Sequence, residues 1–224
     1  MQEITQELIE FMEMSKKTSK GKRFDLFIER ILKENSISFD IEYVLHTAWA
    51  ARILARLMPS KHVDFSSSTY FSTLVSAFIP IDFYDYRPLK IQIPNLQTGV
   101  ADLTKLPFED DSIPSLSCMH VIEHIGLGRY GDPLDPEGDL KAIAELKRVM
   151  SRDLLFAVPI GKQPAIIFNL HRVYSYAQIM SYFEGLKLME FALISDAHDM
   201  FIDATKELVD EQNNGCGCFW FRKD

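Results

Sequence analysis

Cysteine is scarce in this chain: there are three in 224 residues, at positions 118, 216 and 218. That number excludes a disulfide framework. Cys216 and Cys218 are two apart, so on a strand they share a face, while Cys118 belongs to another strand. Buried small apolar residues in a reducing cytoplasm are the expected reading. A basic excess is lacking too. Lys and Arg number 24 against 32 Asp and Glu, a formal charge of −8. Nucleic acid is thereby excluded as the default partner, because phosphate binding wants basic clusters. The one local cluster, Lys16, Lys17, Lys20, Lys22 and Arg23, reads as a solvated linker between helices. No apolar run is long enough to cross a bilayer, and the opening residues to Glu13 are acidic and amphipathic, unlike a secretory leader. What remains is 47% hydrophobic and 12% aromatic, enough for a substantial core.

Helical spacing marks residues 3–13 and 24–34. Asp40 is placed to cap a longer helix running to about Met58, with Ile41, Leu45, Trp49, Ile53 and Leu57 along one side. The period then changes. Short strands are predicted at His62–Phe65, Ile81–Asp85, Gly99–Leu103, Ile113–His120 and Leu154–Val158, with helices from Ser68 to Phe78 and from Leu140 to Met150 between them. Ser175 and Gln178 fit a capping box, and Gly185 suits the end of that helix. Two closing strands, Leu186–Ile194 and Cys216–Phe221, flank a polar insertion. Strands alternating with helices imply an α/β sandwich around a mostly parallel sheet.

In open parallel sheets, ligands sit beyond the carboxyl ends of the strands. The first four strand ends read Val63-Asp64-Phe65-Ser66-Ser67-Ser68, Phe83-Tyr84-Asp85, Ala101-Asp102-Leu103 and Cys118-Met119-His120. Three acids in order, then Leu106-Pro107-Phe108 and the run His120-Val-Ile-Glu-His124, resemble class I S-adenosylmethionine (SAM) dependent methyltransferases over about residues 40–221. Serines stand where that superfamily carries glycines in its first loop, which is similar to a divergent, uncharacterised branch. The segment from His124 to Asp139 resembles the same branch, whose name supplies no substrate.

The resemblance implies a Rossmann-like, mostly parallel seven-stranded sheet. Residues 1–39 would be an N-terminal helical extension, a lid or an oligomer contact, and 40–224 the methyltransferase-like domain. It implies that Asp64, Ser66, Asp85, Asp102, Leu103 and His120 hold the cofactor, with Asp85 on the ribose and Asp102 and Leu103 on the adenine. His124 and His171 are the candidate bases, and Arg129, Tyr130 and Arg172 face the substrate. A SAM-dependent methyltransferase acting on a small molecule or glycan precursor is the leading expectation. It carries no nucleic acid or membrane span, and a homo-oligomer is left open.

Two other readings share these residues. Without its glycines the first loop suits a non-catalytic binding protein on the same fold. His120-x-x-Glu123-His124 also matches an inverted zinc-hydrolase pattern, with Glu137 or Glu145 as a further ligand. Asp132, Asp135, Glu137 and Asp139 could hold a divalent cation, but Asp-Pro turns and a helix cap account for them, so no metal is assigned.

Overall fold

The structure is a computed structural model. It describes residues 39–224, except Pro88 and Asn169, together with Gln6, Ile9 and Glu13. The chain divides into two compact units, Met1–Phe39 and Asp40–Asp224. In the first unit Gln6, Ile9 and Glu13 are helical. The expected helices at 3–13 and 24–34 and the basic cluster otherwise lie outside the described residues.

The second unit opens with α1 (Ile41–Leu57), whose N-cap Asp40 accepts the Tyr43 N–H at 3.2 Å. It closes at Met58, which takes the left-handed conformation and donates its N–H to Leu54. There follow β1 (His62–Phe65), α2 (Thr69–Val75), β2 (Ile81–Asp85), β3 (Leu96–Val100) and β4 (Ile113–Met119). A 3-10 turn at Ile122–His124 leads to α3 (Gly138–Val149) and β5 (Met150–Ile160). A small hairpin, β6 (Ala165–Ile167) and β7 (His171–Val173), precedes α4 (Tyr176–Tyr182). The Ser175–Gln178 capping box is formed on both sides. Last come β8 (Lys187–Ile194), β9 (Met200–Ile202), α5 (Lys206–Val209) and β10 (Gly215–Arg222).

The main sheet runs β3-β2-β1-β4-β5-β10-β8-β9. Its first five strands are parallel, and β10, β8 and β9 are antiparallel to their neighbours. Eight strands stand where seven were expected, because Met200–Ile202 within the polar insertion pairs along the outer edge of β8. The third strand also lies earlier than its sequence pattern suggested. Its partner β2 sets its limits, Ile81 facing Leu96 and Asp85 facing Val100, so Asp102 falls in the turn beyond it.

Side chains alternate between two cores, as the pleat requires. Leu154, Phe156 and Val158 of β5 pack with Ala142, Ile143 and Leu146 of α3 and Ile179 of α4. Leu155 and Ala157 face the other way, toward Trp49, Ala50, Ile53 and Leu54 of α1 and Phe71 and Val75 of α2. Full burial of each large side chain contributes about 1.5–3 kcal/mol. Cys118, Cys216 and Cys218 are free and buried. Among the described residues no helix is long and apolar enough to cross a membrane.

Candidate functional site

Strand order reverses between β1 and β4, and a cleft of about 270 Å³ opens there at the carboxyl ends. That is near the lower end of the roughly 300–1,000 Å³ usual for ligand pockets. Four strand ends wall it, through Ser66–Ser68, Asp85–Arg87, Ala101–Leu103 and Met119–His120. Tyr43 of α1 and His124, Tyr130 and Asp132 of the segment after β4 complete it.

The first loop solves the glycine problem by strain. Ser66 has φ of 55°, the left-handed region that glycine enters without a Cβ penalty. Its N–H and Oγ both bond the Tyr84 carbonyl, at 2.8 and 3.2 Å. Ser67 Oγ accepts the Met119 N–H at 3.0 Å, tying the loop to the end of β4. Asp85 Oδ1 accepts the Arg87 N–H at 2.7 Å, and Asp102 Oδ1 accepts both the N–H and hydroxyl of Thr104 at 2.8 and 2.7 Å. Among the described residues the Oδ2 atom of each carboxylate has no hydrogen-bond partner. Leu103 is buried against the same space.

Asp64 is elsewhere. It is fully buried beneath the loop, does not line the cleft, and accepts hydroxyl bonds from Ser72 and, at 2.5 Å, from Ser117. Burial pushes its carboxyl up to about 6, against the opposing pull of the Ser117, Ser67 and Ser72 hydroxyls. The reason for its position is strand alternation. Asp64 shares a face with His62, whose ring nitrogens bond Ser115 and Ser117 at 2.8 and 2.9 Å. Asp64 thus anchors the serine loop from below.

On the far wall, His124 Nδ1 donates to the Leu170 carbonyl at 2.6 Å, so the neutral ring carries its lone pair on Nε2. Burial lowers its pKa, with the Glu123 carboxylate and the Leu170 bond opposing. His171 does not line the cleft; its ring centroid lies 6.4 Å from that of His124, and its Nε2 is buried with no partner among the described residues. The Tyr130 ring carries the guanidinium groups of Arg87 and Arg129 at 4.8 and 5.2 Å. Arg129 itself does not line the cleft and bonds the Leu170 carbonyl at 3.1 Å.

Arg172 corrects the sequence reading. A substrate-facing guanidinium would be exposed, but this one is 4% exposed and donates to the carbonyls of Ile125 at 2.7 Å and Pro136 at 3.3 Å. It also pairs with buried Asp139 at 3.6 Å, which accepts from Tyr174. Arg172 therefore holds the segment from Glu123 to Asp139 in shape. Acids of that segment are engaged as well: Asp132 accepts the N–H groups of Gly126, at 2.8 Å, and of Tyr130, and Asp135 takes Lys141 at 2.6 Å. The inverted zinc pattern lacks its helix. His120 ends a strand at φ of 56° and residues 122–124 form a 3-10 turn, so the two imidazoles do not share a helix face.

The order β3-β2-β1-β4-β5-β10-β8, with the antiparallel β10 inserted, decides the architecture. The fold is that of class I SAM-dependent methyltransferases. Solved structures of that fold align over most of the chain. A candidate sarcosine dimethylglycine methyltransferase of Galdieria sulphuraria is 14% identical, with TM-score 0.58, covering 81% of this chain and 86% of that one. The 1,6-didemethyltoxoflavin-N1-methyltransferase of Burkholderia thailandensis, solved with 1,6-didemethyltoxoflavin and S-adenosylhomocysteine, is 9% identical, with TM-score 0.54 and coverage of 80% and 78%. The [4+2]-cyclase SpnF is 13% identical, with TM-score 0.54 and coverage of 78% and 80%. At these identities the likeness is one of fold. Residues 109–216 match the family model described as Caenorhabditis protein of unknown function, DUF268. No curated protein matches the chain by sequence.

Several lining residues escaped the sequence reading. Tyr43, Tyr86 and Arg87 carry no motif, and Asp132 was weighed only as one of four acids around a cation. Ser67 was read only as part of a serine run.

Proposed function

We propose that the cleft binds S-adenosylmethionine and that the protein transfers its methyl group to a small molecule or glycan precursor. One observation carries this reading: Ser66, Asp85, Asp102, Leu103 and His120, from four separate strand ends, line a single cavity at the reversal of strand order. The residues fit the group. Asp85 and Asp102 each have an oxygen uncommitted among the described residues, suited to ribose hydroxyls and to an adenine amino group. The negative charge of the pair also suits a sulfonium.

When bound, the cofactor supplies an electrophilic methyl group open to in-line displacement. The chain's part is alignment and exclusion of water. His124 lines the cleft with Nε2 unprotonated, so it can take a proton from a hydroxyl or amine acceptor. Tyr130, braced by Arg87 and Arg129, offers a flat face against which an acceptor can pack.

A second reading keeps the fold without the chemistry. The Cβ atoms of Ser66–Ser68 narrow the loop, and the fold alone does not fix an activity. Calorimetric titration with SAM and S-adenosylhomocysteine, followed by incubation with labelled SAM and pooled small-molecule and glycan acceptors, separates the two. Cofactor binding with label transfer supports the methyltransferase. Binding without transfer to any acceptor, including sugars, supports the binding protein.

A further inference from the structure

A second constellation lies where α1, the end of β4 and β10 meet; it shares His120 with the cleft, but methyl transfer makes no use of His46 or Cys216. His46, His120 and Cys216 each present a ligand atom, and the three atoms lie within 4.8 Å of one another. His46 and Cys216 are fully buried, and the His120 side chain is 7% exposed. Among the described residues the Nε2 atom of His46 has no hydrogen-bond partner, although leaving such an atom unpaired costs roughly 1–3 kcal/mol.

The tautomers are fixed from outside. His46 Nδ1 lies 2.7 Å from the Glu42 carbonyl, which can only accept, so Nδ1 carries the proton and Nε2 the lone pair. His120 Nδ1 lies 3.1 Å from the Glu123 carboxylate, which orients its Nε2 to within 3.0 Å of Cys216 Sγ. An imidazole backed by a carbonyl and another backed by a carboxylate, the first bare at Nε2 and the second turned at Nε2 toward a thiol, is the support that metal-binding histidines use. His120 also holds a left-handed backbone at φ of 56°, a cost that persists where the side chain is over-determined.

We propose that His46, His120 and Cys216 form a binding site for Zn²⁺, with the fourth position left to a solvent ligand. Zinc–sulfur bonds of about 2.3 Å and zinc–nitrogen bonds of about 2.0–2.1 Å put tetrahedral ligand atoms roughly 3.4–3.6 Å apart. His120 Nε2 and Cys216 Sγ are 3.0 Å apart and no pair of the three ligand atoms is separated by more than 4.8 Å, so the set lies close to that spacing. The charges also balance. Two positive charges on the ion meet one on the Cys216 thiolate and one on the buried Glu123 carboxylate, which removes the penalty for burying either alone.

A Cys216-His120-Glu123 nucleophilic triad is the rival use of the same atoms. It leaves the bare His46 nitrogen unexplained, and Cys216 does not line the cleft, so no substrate would reach it. This site is also distinct from the His120-x-x-Glu123-His124 pattern, because residues 122–124 form a 3-10 turn and the ligand atoms that gather are those of His46, His120 and Cys216.

The test uses the full chain, purified without metal-affinity steps, and needs no cofactor, so its failure is independent of the methyltransferase reading. Elemental analysis should find one zinc per chain. After chelation, titration with Co²⁺ should give tetrahedral ligand-field bands and a thiolate-to-cobalt charge-transfer band that saturate at one equivalent. Cys216→Ser should abolish the charge-transfer band and Cys218→Ser should retain it. His46→Gln should keep that band with at least tenfold weaker binding. Glu123→Gln should weaken binding by about 10–100-fold. A folded wild-type chain, checked by circular dichroism, that takes up neither Zn²⁺ nor Co²⁺ would overturn the site. So would a charge-transfer band that survives Cys216→Ser.

Discussion

Arg172 separates a structural reading from a substrate-binding one by experiment. Arg172→Gln removes a guanidinium that serves the carbonyls of Ile125 and Pro136 and pairs with Asp139. Glutamine keeps part of the volume but cannot span both carbonyls, and it leaves Asp139 buried with Tyr174 as its remaining donor. Breaking a buried pair from one side costs about 3–5 kcal/mol, and the separate bonds are not added on top because they act as a unit. For a domain of this size each kcal/mol moves Tm by roughly 2–4 °C. The expected loss is therefore about 6–20 °C, measured by circular dichroism or differential scanning fluorimetry. Hydrogen exchange should rise in the segment from Glu123 to Asp139, whose carbonyls the side chain gathers. An unchanged Tm, with the variant's defect confined to acceptor binding, would refute the reasoning and return Arg172 to the substrate.

Other expectations follow from the same geometry. Asp64 has its carboxyl raised to about 6 by burial, so the folded state binds a proton that the unfolded state has already released. Its contribution to stability is present below the unfolded value near 4 and is lost as pH rises through 6, by on the order of 3 kcal/mol. Asp64→Asn cannot ionise, so urea unfolding should show the variant gaining on the wild type between pH 4 and pH 8; a difference flat with pH would contradict this. Gly126 sits at φ of 79°, and a Cβ there would meet the Asp135 carbonyl oxygen at 2.0 Å. Gly126→Ala should cost at least about 2 kcal/mol in the same assay, since left-handed strain and the clash act together. An equal unfolding free energy would mean that the loop adopts another path.

Elements and their order were legible because hydrophobic period, Asp40, Ser175 and the strand-ending acids are local signals. Asp85, Asp102 and Leu103 could be assigned to the cleft because position at the end of a parallel strand fixes which way the chain turns. Asp64 could not. Whether a strand-end acid faces the crevice or the underside of its loop depends on Ser72 and Ser117, which the fold brings to it. Arg172 was hidden for the same reason, since a charge is buried only where distant carbonyls converge on it. His46 left a trace that went unused. It stands three, four, seven and eight residues before Trp49, Ala50, Ile53 and Leu54, all buried, so an imidazole sat on the apolar face of a helix. The α1 stripe drawn through Ile41, Leu45, Trp49, Ile53 and Leu57 met the buried face at Trp49 and Ile53 but passed beside Ala50, Leu54 and His46, which concealed the imidazole.

The central claim is that the cleft between Ser66, Asp85 and Asp102 holds an adenosyl cofactor. Isothermal titration of the wild type and of Asp85→Ala with S-adenosylhomocysteine measures this directly. Loss of a carboxylate that takes two ribose hydroxyls should remove about 2–3 kcal/mol, which weakens binding by roughly 30–150-fold while the far-ultraviolet spectrum stays unchanged. A wild type that binds neither S-adenosylhomocysteine nor S-adenosylmethionine at millimolar concentration, or an Asp85→Ala variant that binds as tightly as the wild type, would contradict it.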